Sequence, residues 1–134
     1  MNQGSKTNEQ FYGQSRDESS RAVFRCQVTP STSPKPSSVH ALRPSDVEVI
    51  GAIGDSLTAA NGAKASTILG LLEECRGVAW NMGGETNDIT RSLTLPNILR
   101  QFNPSLYGFS TGSGKNSDVA KAVFNMANPG DTSQ

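Results

Sequence analysis

Gly54, Asp55 and Ser56 stand at the end of a short β-branched run, and that placement gives the serine a chemistry. In an open α/β sheet, ligands gather at the carboxyl ends of the strands, so a serine there is exposed at a turn. The first N–H groups of a following helix would favour negative charge beside it. Such a hydroxyl suits a nucleophile whose attack creates an oxyanion. Gly54 lets the backbone turn tightly. Asp55 is next to the serine in sequence, which suits hydrogen bonding within the turn rather than service as an acid partner. Further on, Gly83 and Gly84 read as a strand-to-loop turn, with Glu85 and Asp88 as solvated neighbours.

A serine hydroxyl at neutral pH is a poor nucleophile without a base. The sequence holds one histidine, His40, which precedes Ser56 in a linker-like stretch and reads as solvated or locally packed. The two cysteines, Cys26 and Cys75, fit neither CxxC nor a zinc spacing. Cys75 reads as a packed thiol on a helix. Cys26 lies in a polar arm and, in an oxidising compartment, is free to pair with Cys75 or with a partner outside the chain. Gly112-Ser113-Gly114-Lys115 resembles the end of a phosphate loop, but Phe109 stands where that loop needs its first glycine and Asn116 follows the lysine. No metal or cofactor is expected.

The elements that must hold the serine alternate in type. Residues 47–53 read as a buried strand. Residues 67–75 read as a helix, since Ile68, Leu71, Leu72 and Cys75 share one face, with Arg76 and Gly77 as its stop. Residues 78–82 give a second strand. A second helix begins near Thr94, tolerates Pro96 in its first turn and ends at Asn103-Pro104; Leu95, Ile98, Leu99 and Phe102 form its apolar face. Residues 107–114 read as a loop with a brief strand at 107–109. Ser117 is placed to cap a third helix through Met126. Strands alternating with helices indicate an α/β layer fold with a parallel sheet, here an incomplete one with open strand edges.

Before this region, residues 1–45 read as a disordered Ser/Pro-rich arm, and residues 46–134 as the folded part. The 134 residues are 34% hydrophobic, below the usual ~45–50% of globular chains. Lys and Arg number 12, as do Asp and Glu, so the net charge is zero and nucleic acid is not an expected partner. No signal peptide or transmembrane segment is evident in this chain.

Residues 49–63, VIGAIGDSLTAANGA, closely resemble the first block of the GDSL, or SGNH, hydrolases. Residues 82–85 and 93–104 are similar to the next blocks of the phospholipase B-type branch, and residues 38–47 to its lead-in. The resemblance runs from about Phe24 to about Asn125. It implies an α/β/α sandwich and cleavage of carboxylic esters, including acyl esters of phospholipids and lysophospholipids. It gives Ser56 the role of nucleophile, and makes the Ser56 N–H and Gly84 oxyanion donors. It also implies a phospholipid or lysophospholipid substrate, a membrane surface and an extracellular or membrane-associated setting; open strand edges add self-association. The departures are specific. There is no Gly-x-Asn-Asp block, no Asp-x-x-His pattern after Ser56, and Ala60 stands where the branch commonly has glycine. The chain is therefore expected to be a truncated form inactive alone, with a non-catalytic lipid- or partner-binding form as the alternative.

Overall fold

Parallel pairing begins in the β-branched run. Val49 pairs with Tyr107 and Ala52 with Asn125, and Gly83 pairs with Ser110, all in the parallel sense. The computed structural model describes residues 34–132 together with Cys26, and among these each pairing is an isolated bridge rather than an extended ladder. The expected parallel sheet thus appears only as single parallel bridges. The first run changes partner as it advances. Ile50 N–H donates to the Tyr107 carbonyl at 2.9 Å, and Ala52 N–H donates to that of Phe124 at 3.0 Å. At the change-over Phe124 N–H donates to Gly108 O at 3.2 Å, and the Tyr107 and Phe124 rings meet edge to face at 5.4 Å. The run is not buried as expected: Ile53 is 87% exposed and Val49 is exposed too. Branching at Cβ favours an extended backbone, but burial needs a covering layer that the run itself does not supply.

The α-helix at Leu95–Phe102, here α1, forms as its sequence dictates. The Thr94 hydroxyl accepts from Asn97 N–H at 3.4 Å and donates to Gly83 O, so the cap also ties the helix to the second paired segment. Pro96 sits in the first turn, and Asn103 N–H closes the last turn on Leu99 O at 2.9 Å. The buried residues are Pro96 and Asn97 rather than Leu95, which is exposed; Ile98, Leu99 and Phe102 are half-buried. Asn103 Nδ2 donates to Val47 O at 2.8 Å and so fixes where the first run enters. Just before it, Arg43 grips Asp46 with Nε at 2.7 Å and Nη2 at 2.8 Å. That hydrogen-bonded pairing raises the Arg43 pKa further above its ordinary value.

Three other expected elements are corrected. Residues 67–75 form only a 3₁₀ turn at Leu69–Leu72. Gly70 lies within it, and the chain beyond is drawn away when Gly62 N–H donates to Glu73 O at 2.8 Å and Cys75 N–H to Ala60 O at 3.2 Å. These bonds give an antiparallel bridge between Asn61 and Glu74, so Cys75 is buried but not on a helix. Residues 78–82 do not form a strand: Arg76–Val78 is a 3₁₀ turn, and pairing falls one residue later at Gly83. The third helix shrinks to Val119–Ala122, here α2, with Asp118 and not Ser117 at its start. Val123 leaves the helix at φ 51°, after which Asn125 is captured by Ala52.

Mostly small apolar side chains fill the interior: Ala59, Cys75, Ala79, Ala122 and Ala127 are buried together with the larger Met82, and Leu106 is nearly so. Arg76, Asn97, Ser110 and Asn125 are buried among them. Most of the expected arm lies outside the described residues. Its described part carries 3₁₀ turns at Val39–Ala41, capped by Ser38, and at Pro44–Asp46.

Candidate active site

Ser56 sits in a compact turn, not at the start of a helix. Asp55 Oδ1 accepts from Leu57 N–H at 2.9 Å, the turn-forming bond expected of that residue. Ala59 N–H returns to Asp55 O and Asn61 N–H to Ser56 O, each at 3.0 Å. Ser56 is half-buried, and among the described residues neither its hydroxyl nor its N–H is engaged in a hydrogen bond. Gly54 is needed where it stands, because a Cβ there would run into the Thr58 side chain. Ala60 adopts φ 55°, a left-handed conformation that glycine adopts without steric cost. The sequence departure at this position therefore puts a Cβ where the backbone favours none.

A cleft of about 650 Å³ opens beside this turn, lined by Ile53, Gly54, Asp55, Asp131 and Thr132. Its lining includes the residues immediately before Ser56. The segment after α2 forms the other wall: Met126 N–H donates to Ala52 O at 2.8 Å and Asn128 N–H to Gly54 O at 2.9 Å.

Gly84 lies elsewhere in the bonding scheme. Its N–H donates to Ser110 O at 2.8 Å, and its carbonyl accepts from Arg100 Nη1 at 3.3 Å. The Phe109 ring covers it so closely that a Cβ could not fit, and the Arg100 guanidinium lies 4.5 Å over that ring. Among the described residues no hydrogen bond joins the Ser56 turn to Gly84 directly. The two blocks meet next door, where Lys64 reaches Glu85 at 2.6 Å. That pair is partly exposed and of small energetic weight. Asp88 accepts from the Thr90 hydroxyl and N–H, which hold its carboxyl below the ordinary aspartate range.

The remaining candidates fall away from Ser56. His40 is exposed, its N–H donating to Ser38 Oγ at 3.3 Å. Cys26 is exposed, Cys75 buried, and both are free thiols. Lys115 and Gly114 line a smaller cleft of about 250 Å³ together with Glu73 and Glu74, whose carboxylates oppose a phosphate. Among the described residues no three His, Cys, Asp or Glu side chains group as metal ligands, and no helix is long and apolar enough to cross a membrane.

The structure also corrects the place of Arg76, which the sequence pattern puts at a helix end as a stop. It is fully buried and donates to Gly114 O (2.8 Å), Asn125 O (2.9 Å), Asn125 Oδ1 (3.1 Å) and Ala127 O (2.7 Å), and it pairs with the Glu74 carboxylate. Its position between the apolar or small residues Cys75 and Gly77-Val78-Ala79 is the one signal of this in the sequence.

Residues 50–134, which begin just before this serine turn, match the GDSL-like Lipase/Acylhydrolase family, and the chain belongs to that family. Within it, the chain is 53% identical over 106 residues to "Phospholipase B1, membrane-associated" of Mus musculus. It is 49% identical over 106 residues to the Rattus norvegicus protein of that name, and 48% identical over 108 residues to the Homo sapiens one. These alignments cover 78–79% of this chain but 7% of each relative's length. No solved structure matches the chain.

Proposed function

We propose that this chain carries the nucleophile-bearing part of a phospholipase B-type acyl-ester hydrolase, built on an α/β/α sandwich with a parallel sheet and acting on phospholipid or lysophospholipid at a membrane surface. The observation that carries the reading is the GDSL block at residues 49–63, with Ser56 half-buried on a compact turn, in a chain about half identical to relatives named phospholipase B1. Ser56 Oγ attacks the ester carbonyl carbon and its proton passes to a base. The tetrahedral oxyanion collapses, expelling the alcohol and leaving an acyl-enzyme that water then hydrolyses. The Ser56 N–H, uncommitted among the described residues, is one oxyanion donor. Gly84 is the second, and its bond to Ser110 O must open for it to serve. One such donor is worth about 10²–10³ in rate.

A histidine base is not expected from these 134 residues, whose only histidine, His40, precedes Ser56 in sequence and is exposed. By itself the chain is accordingly a poor catalyst. The test is to graft residues 49–104 into the matching stretch of the mouse relative and follow fatty-acid release from lysophosphatidylcholine. Retained release supports the reading. A folded graft without activity sinks it.

A second reading rests on the exposed side chains of Ile68, Leu69, Leu71 and Leu72. In it the chain binds lipid without turnover. Co-sedimentation with phosphatidylcholine vesicles tests it: binding that is lost on replacing these residues by glutamine, without fatty-acid release, supports this reading, and no binding by the parent chain sinks it.

A further inference from the structure

The most heavily bonded side chain in the described structure is Arg76, and its bonds converge on the segment that walls the Ser56 turn. Its Nη1 holds Asn125 through both the carbonyl and Oδ1, and its Nη2 holds the Ala127 carbonyl. Asn125 is itself fully buried. Its Oδ1 also accepts from Ala127 N–H at 3.3 Å. Both groups facing that oxygen are donors, so the amide orientation is fixed and the NH₂ must point the other way. There Nδ2 donates to Thr58 O at 3.0 Å, two residues past Ser56.

The same segment grips the chain before the serine, through Met126 N–H to Ala52 O and Asn128 N–H to Gly54 O. Residues 125–128 are therefore a clasp with one jaw on each side of Ser56, and Arg76 is the peg behind it. An interior guanidinium has no solvent to satisfy its donors, and its planar fork is pre-organised for several fixed acceptors at once. We propose that Arg76 and Asn125 are positioning residues for Ser56, setting the geometry of the nucleophile turn through Thr58. This rests on the assignment of Ser56 as nucleophile, but the clasp is testable without it.

Asn125→Asp keeps an oxygen toward Arg76 and Ala127 and removes the donor to Thr58. In the 134-residue chain, amide exchange of Ala59, Ala60 and Asn61 should quicken about tenfold or more. The α1 amides of Ile98 and Asn103 should be unchanged. Equal change in both regions, or none in the turn, overturns the proposal. Asn125→Ser, whose hydroxyl is too short to reach Thr58, is the second variant should the aspartate unsettle the fold, with the same outcomes deciding.

Positioning also predicts a kinetic signature. In the mouse graft, extended through residue 128, the Asn125→Asp change should lower kcat about tenfold at unchanged KM for lysophosphatidylcholine. A loosened turn with unaltered kcat would make the clasp merely structural and refute the positioning role. A graft that is inactive before any substitution strikes the ester-hydrolase reading instead, while the exchange experiment still decides the clasp.

Discussion

The aliphatic run at residues 68–72 and the nearby Arg76 end in opposite environments. Ile68 is 85% exposed, and Leu69, Leu71 and Leu72 are exposed with it, while Arg76 is fully buried. Hydrophobicity alone would place them the other way round. The difference is in available partners. Arg76 finds the carbonyls of Gly114, Asn125 and Ala127 and the Glu74 carboxylate within hydrogen-bond reach. The leucines stand on a short 3₁₀ turn whose flanks are already committed to Ala60 and Gly62. What holds this chain around the Ser56 turn is a set of directed polar bonds among small buried residues, more than aliphatic burial.

Removing the peg should produce the largest effect. Arg76→Leu strips donors from buried carbonyls and leaves Glu74 without its cation, so urea unfolding followed by far-UV circular dichroism should show a loss of about 3–5 kcal/mol. A loss under about 1 kcal/mol would mean the polar junction matters no more than the leucines. Thr94→Ala deletes both the α1 cap and the bond to Gly83 O, and should cost about 1–2 kcal/mol in the same titration. Ala60→Gly works in the opposite direction. It removes a Cβ from a residue at φ 55° and should raise stability by about 0.5–1 kcal/mol. An equal loss would show that the turn relaxes to negative φ. The smallest response is expected from Leu69→Ser and Leu72→Gln, each within about 0.5 kcal/mol of the parent. A loss of several kcal/mol from either would show that the run is covered in solution and break the contrast.

How far the sequence foretells this arrangement depends on whether the signal is local. The start of α1 near Thr94, its first-turn proline and its stop at Asn103 depend on near neighbours, and they form as read. The Asp55 turn is equally local, formed by a bond two residues long. The parallel sense of the pairing also agrees with the alternation of elements, although each pairing is a single bridge. The readings that fail depend on distant partners. The periodicity of residues 67–75 carries no information about Glu73 and Cys75 bonding back to Gly62 and Ala60. Likewise the third helix is cut short because Asn125 is claimed by Ala52 and Arg76, both far away along the chain. Ser56 is legible from its motif. The clasp that surrounds it is not, because an arginine and an asparagine separated by 49 positions carry no motif.

Ser56 as the nucleophile is the claim on which the rest stands. In the mouse graft, a long-chain fluorophosphonate should modify one residue, located by peptide mass spectrometry at Ser56. The Ser56→Ala graft should take up no label and release no fatty acid. Labelling at another residue, or hydrolysis that survives Ser56→Ala, would contradict it.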